Sequence, residues 1–310
     1  MAGTSKPVPA GKSNQPPAPI NSTQKMKNMK TQTLWAAAPA LLAGLLLASP
    51  AQAVTAIAGD LILGFRASGG QGASTNLEVN IGPASNYYGA APGSFVVTGL
   101  STADLVSTYG GGWASSSDLS FGIVGTTGAA AVGVAPARTI WASRAESTPG
   151  TASTPWPRGT TFALQVPSNT ISTLYSGAPG SLSNAPAAGS PSSALIDTAT
   201  AGSWTAQEDF TPSVSFRYFN PSVLITMGDI PATPAQYDGV NGYAVLDLFE
   251  VRPGTAGSPG TLIGAFGLNN SGQLVFSTSP SVFAPVPEPT ATFSALAAAV
   301  LLTLRRRRAA

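Results

Sequence analysis

Short runs in which apolar and polar residues alternate one for one, each closed by glycine or proline, limit this chain more than any other feature. Leu61, Leu63 and Phe65 alternate with Ile62, Gly64 and Arg66; Leu77, Val79 and Ile81 flank Glu78 and Asn80; Leu119, Phe121 and Ile123 flank Ser120 and Gly122. Phe162, Leu164 and Val166 repeat the pattern, as do Val214, Phe216 and Tyr218, and further strands are predicted over 223–227, 242–251, 261–267 and 273–278. A period of two sends successive side chains to opposite faces of a strand, so each run predicts one face in a core and one toward solvent. Asn269-Asn270-Ser271-Gly272 separates two such runs and predicts a hairpin, while Gly69-Gly70-Gln71-Gly72, Gly110-Gly111-Gly112, Pro149-Gly150 and Pro253-Gly254 mark other turns. Long helical periods between the strands are missing, which argues against a parallel βαβ fold. The expected class is all-β: an antiparallel β-sandwich or jelly-roll-like body over residues 54–286.

Two helices interrupt this pattern. Ser101 and Asp104 have the spacing of a capping box, with Leu105 and Val106 following before Gly110 ends the helix. Residues 168–175 predict a second, shorter helical turn. Residues 176–193 are nearly all Gly, Ala, Ser and Pro and predict one long loop within a single domain rather than a boundary between two. The Ser/Thr/Pro-rich stretch 147–160 predicts another loop.

The chain has no histidine and no cysteine. That removes zinc, haem, iron–sulfur and disulfide sites of the usual kind, together with every nucleophile–histidine mechanism. Charge is segregated. All five lysines lie in the first thirty residues, and residues 54–286 hold six arginines against twelve acids, a net charge of −6 without one lysine. Such a body lacks the clustered cations that neutralise phosphates, so nucleic acid is not an expected partner.

Both ends of the chain carry addresses. Residues 34–47 are uncharged and apolar, follow Lys25, Lys27 and Lys30, and precede Ala51-Gln52-Ala53. A basic flank, a short apolar helix and a small-x-small triplet are the parts of a secretory signal peptide, with signal peptidase cutting after Ala53. Residues 1–25 are too polar to fold by themselves, and Met26 and Met29 offer alternative starts. At the other end, Pro287-Glu288-Pro289 precedes an apolar stretch over 290–304 and then Arg305, Arg306, Arg307 and Arg308. Fifteen helical residues reach only about 22 Å, short of the roughly 30 Å hydrocarbon core, so the stretch is a marginal anchor. The arginines hold their end in the cytoplasm. The flanking prolines keep Glu288 extended, within reach of a protease.

This tripartite tail, Val286-Pro287-Glu288-Pro289, apolar helix and arginine run, resembles the PEP-CTERM sorting signal of Gram-negative bacteria that make exopolysaccharide. The resemblance covers about 24 of the 310 residues. It implies an exosortase-type membrane protease-transpeptidase as processing partner and transient anchoring in the inner membrane. It also implies delivery to the cell surface or extracellular matrix. The expected organisation is therefore 1–53 as extension and signal helix, 54–286 as the exported β-rich body, and 287–310 as the sorting signal.

Inside the body, chemistry is sparse. Without His or Cys, paired carboxylates are the remaining route to hydrolysis. Asp247 and Glu250 share a strand but point to opposite faces; Asp247 sits among apolar neighbours, with Arg66 or Arg217 as its expected partner. Asp238 and Asn241 place two oxygen donors in a glycine-rich turn, which would suit calcium, but the EF-hand spacing is absent and Asp-Gly and Asn-Gly favour a plain turn. Trp113 and Trp156, beside glycines and prolines, are expected on exposed loops where flat rings could stack on sugars, whereas Trp141 is expected in the core. No cofactor and no catalytic residue are expected. The leading expectation is a structural or adhesive surface protein rather than an enzyme. The alternative is a lectin-like binder of exopolysaccharide or a carboxylate-dependent glycosidase.

Overall fold

Among the described residues, eleven strands account for most of the regular structure, and nine of them form one antiparallel sheet. The structure, a computed structural model, describes residues 56–176, 193–208, 215–216, 218–220, 225–226, 232–234 and 242–284. The strands are β1 (Asp60–Ala67), β2 (Thr75–Pro83), β3 (Ser94–Val96), β4 (Leu119–Thr126), β5 (Ile140–Ala145), β6 (Ser193–Asp197), β7 (Tyr218–Asn220), β8 (Ile225–Thr226), β9 (Tyr243–Val251), β10 (Thr261–Asn269) and β11 (Leu274–Ser277). Their order in the large sheet is β3-β11-β10-β9-β5-β4-β1-β2-β6, and β7 with β8 forms a separate ribbon. Among the described residues, four α-helices, α1 (Ser85–Tyr88), α2 (Thr102–Tyr109), α3 (Gln165–Ser176) and α4 (Trp204–Glu208), and two short 3-10 turns, Trp113–Ser115 and Pro280–Phe283, accompany the strands.

The mostly β, antiparallel class expected from the alternation is what the chain adopts. The strands do not divide into two facing sheets; they make one sheet curled into a half-barrel. Tyr87 shows the curl. Its hydroxyl donates to the Ile81 carbonyl of β2 at 2.6 Å, while its ring lies 5.1 Å from Phe266 of β10 and 5.0 Å from Phe276 of β11. β2 and β11 stand near opposite ends of the strand order, so only a curled sheet lets one side chain touch both.

Both faces of the sheet are covered, which corrects the expectation of one wet face. The inner face packs Leu61, Leu63, Phe65, Leu77, Val79, Phe121, Leu246 and Phe266 under Tyr87, Leu105, Tyr109 and Trp113. The alternate residues, Ile62, Val124, Ile140, Ala142, Phe249 and Val251, pack on the outer face against Trp156, Leu164, Ile171, Leu174, Tyr175 and Trp204. Glycine makes one of these contacts possible. A Cβ on Gly64 of β1 would collide with the Trp204 ring, so the indole rests directly on bare backbone.

Local signals hold at several ends. Ser101 caps α2, its hydroxyl accepting from the Asp104 amide at 3.4 Å, and the helix stops at Gly110. The 262–266 and 274–276 runs pair as β10 and β11 around the Asn269–Gly272 turn, where the Gly272 amide bonds the Asn269 carbonyl. Residues 162–166 are a correction. They form a turn and the start of α3 rather than a strand, and Phe162 is exposed. Leu164, Ile171, Leu174 and Tyr175, all buried, repeat at helical spacing, and that longer period outweighs a three-residue alternation. Pro167 is tolerated because it falls in the first helical turn. Residues 147–160 are mainly loop, as expected, and most of 176–193 lies outside the described residues.

Candidate functional site: a strapped carboxyl pair

β5 and β9 run side by side at the centre of the sheet, with Arg144 opposite Asp247. After β5 the chain leaves the sheet at Glu146 and crosses the outer face as a strap over residues 147–155 before Trp156 returns to the core. The Glu146 amide still bonds the Val245 carbonyl at 3.1 Å, which brings its side chain beside Asp247. The two carboxyl groups are close enough for each to perturb the other.

The strap supplies the remaining donors. Gly150 N–H donates to Glu146 Oε2 at 2.6 Å, while the Thr151 amide, near this carboxyl group, bonds the Thr148 carbonyl at 3.0 Å. The amide and hydroxyl of Ser153 donate to Asp247 Oδ2 at 2.5 and 2.7 Å. Arg144 donates to the Thr154 carbonyl at 2.7 Å and lies 4.3 Å over the Trp156 ring, a cation–π contact. Gly150 adopts φ +81°, and a Cβ there would meet Ala284, so glycine is required where the strap turns against the chain beyond β11.

Burial sets the electrostatics of the pair. Removal from water pushes the Glu146 carboxyl up to about 9, with the neighbouring Asp247 adding to the rise. Asp247 is also raised, by burial, although the Ser153 bonds and Arg144 work the other way. A cavity of about 180 Å³ opens beside the pair, lined by Glu146, Ser147, Pro149, Ala232, Tyr243 and Val245. Asp247 itself is 0% exposed, so no substrate atom reaches its carboxylate while the strap is in place.

The expected partners of Asp247 are corrected. Arg66 bonds Glu208 of α4 at 2.9 Å, and the arginine beside Asp247 is Arg144; Arg217 lies outside the described residues. Glu250 is held by Arg252 at 2.8 Å on the other face. The expected exposure of the loop tryptophans is not found. Trp113 and Trp156 are 2% and 3% exposed, Trp113 within the inner core and Trp156 donating its indole N–H to the Ser143 carbonyl. Neither offers a face to a sugar ring. Trp141 is buried as expected. Ala51, Ala53, Asp238, Asn241, Pro287, Glu288, Pro289, Arg305, Arg306, Arg307 and Arg308 lie outside the described residues.

A second buried acid escaped sequence reasoning. Glu78 of β2, expected on a wet face, is sealed under α4, where its Oε1 accepts from the Trp204 amide at 2.5 Å. Burial raises it to about 8. Glu146 was missed because it lies one residue past the alternation of β5, and nothing local marks Asp247 as its neighbour. Among the described residues no three His, Cys, Asp or Glu side chains are grouped to hold a metal ion, and no helix is long and apolar enough to cross a membrane. No family model, curated protein or solved structure matches the chain.

Proposed function

We propose that this chain is an exported structural or adhesive protein of the cell surface or extracellular matrix, not an enzyme, released by exosortase-type processing of its tail. The observation that carries this reading is the succession Pro287-Glu288-Pro289, apolar stretch 290–304 and four arginines, matched by an amino-terminal signal of the same cytoplasmic orientation. Each end then contributes a short helix, a signal helix removed after Ala53 and a sorting helix held briefly in the inner membrane. The body between them suits such a destination. It carries no cysteine that an oxidising compartment would alter and no lysine. Exopolysaccharide is the polymer it would meet there.

Replacing Pro287, Glu288 and Pro289 by alanine tests the proposal. Cell fractionation with intact-mass measurement is expected to find the wild-type protein in the envelope or medium, shortened at both ends, and the variant retained in the inner membrane with residues 290–310. Unchanged release of the variant, or intact chain in the cytosol, would overturn it.

A further inference from the structure

Three strap donors converge on Glu146 and Asp247, yet they occupy only one oxygen of each partner. Gly150 takes Glu146 Oε2 and Ser153 takes Asp247 Oδ2 twice. Glu146 Oε1 and Asp247 Oδ1 are buried and have no N–H or O–H donor. The two groups that carry these oxygens are neighbours. Two ionised carboxylates side by side inside a protein repel, and a buried acceptor without a donor has lost its water and gained nothing in exchange. One proton between the two oxygens satisfies both. It also balances the site's charge: with one proton the pair carries a single negative charge, matched by the Arg144 guanidinium across the β5–β9 ladder.

We propose that Glu146 and Asp247 share a single proton, and that this proton fastens the strap 147–155 to the sheet, so that losing it to solvent in alkaline conditions releases the strap. The donors that close the strap point at carboxyl groups that stay together only while the proton is present. Once it leaves, two negative charges face one cation; Glu146, the partly exposed member, swings toward water and breaks its bond to Gly150. Ser147 and Pro149, which wall the 180 Å³ cavity, move with the strap and widen that cavity. Among the described residues, the other charged or titratable groups facing the pair are Arg144 from β5 and Tyr243 across the cavity. The strap, β10 and the turn Pro280–Phe283 present none.

Amide hydrogen exchange on the full chain, corrected for the intrinsic pH dependence, reads the strap directly. Protection at Gly150, Thr151 and Ser153 is expected to fall by about tenfold or more between about pH 6 and about pH 10. In Glu146→Gln the amide donates to Asp247 without titrating, and protection should hold within about twofold over the same range. Difference infrared spectra between wild type and Glu146→Gln at neutral pH should show one protonated-carboxyl band, distinct from the band that Glu78→Gln removes. The proposal is overturned if both proteins lose protection alike or if that band is missing. Restoration of wild-type protection at alkaline pH by calcium chloride would also overturn it, because the pair would then be a divalent-cation site.

Discussion

At the scale of single residues, the surprises are acids in apolar company. Glu78 alternates with Leu77 and Val79 in a pattern that reads as solvent-facing, and it is buried because Trp204 and Thr205 come down on β2 from more than a hundred residues away. Its carboxyl rises from 4.5 to about 8, so folding favours the neutral form. The stability linked to that preference is complete below about pH 4.5 and drains away as pH climbs to about 8. Glu78→Gln, neutral throughout, should flatten the fall in unfolding free energy over that window by on the order of 1 kcal/mol per pH unit, as measured by denaturant titration at several pH values. A wild-type slope that the substitution leaves unaltered would mean that Glu78 stays ionised in the fold.

At the scale of elements, α4 and the outer face of β1 form a closely fitted contact. Trp204 lies on Gly64, meets Phe216 at 5.2 Å and donates its indole N–H to Glu208, which in turn holds Arg66. Gly64→Ala drives a methyl group into the indole and should destabilise the protein by about 3 kcal/mol, the upper range for overpacking, with the loss recovered in part when Trp204 is shortened as well. Additive losses in the double-mutant cycle would show that the two residues do not touch in solution. The hairpin of β10 and β11 and the cap of α2 were legible because their signals sit within a few residues. The start of α3 was not: Phe162, Leu164 and Val166 satisfy a period of two over five residues, and only the positions beyond, Ile171, Leu174 and Tyr175, reveal the helical period.

At the scale of the whole molecule, one sheet serves two cores. Neighbouring residues of a single strand, such as Leu61 and Ile62 in β1 or Leu248 and Phe249 in β9, belong to opposite cores, so neither core can lose its order without disturbing the backbone of the other. Unfolding is therefore expected as one cooperative transition, with far-ultraviolet circular dichroism and tryptophan fluorescence coinciding, Trp113 and Trp141 reporting the inner core and Trp156 and Trp204 the outer one. Separate midpoints for the two probes would show that the cores are independent. The alternation and turn chemistry, being local, already determined an antiparallel β body, and the apolar and basic segments at the ends determined the expectation of export. Whether the strands form two sheets or one curled sheet, which face is wet, and which carboxyl groups meet were decided only by tertiary structure. Those outcomes rest on contacts such as Ser153 with Asp247, 94 residues apart, and Arg66 with Glu208, 142 apart, and no short-range pattern encodes a pairing over that distance.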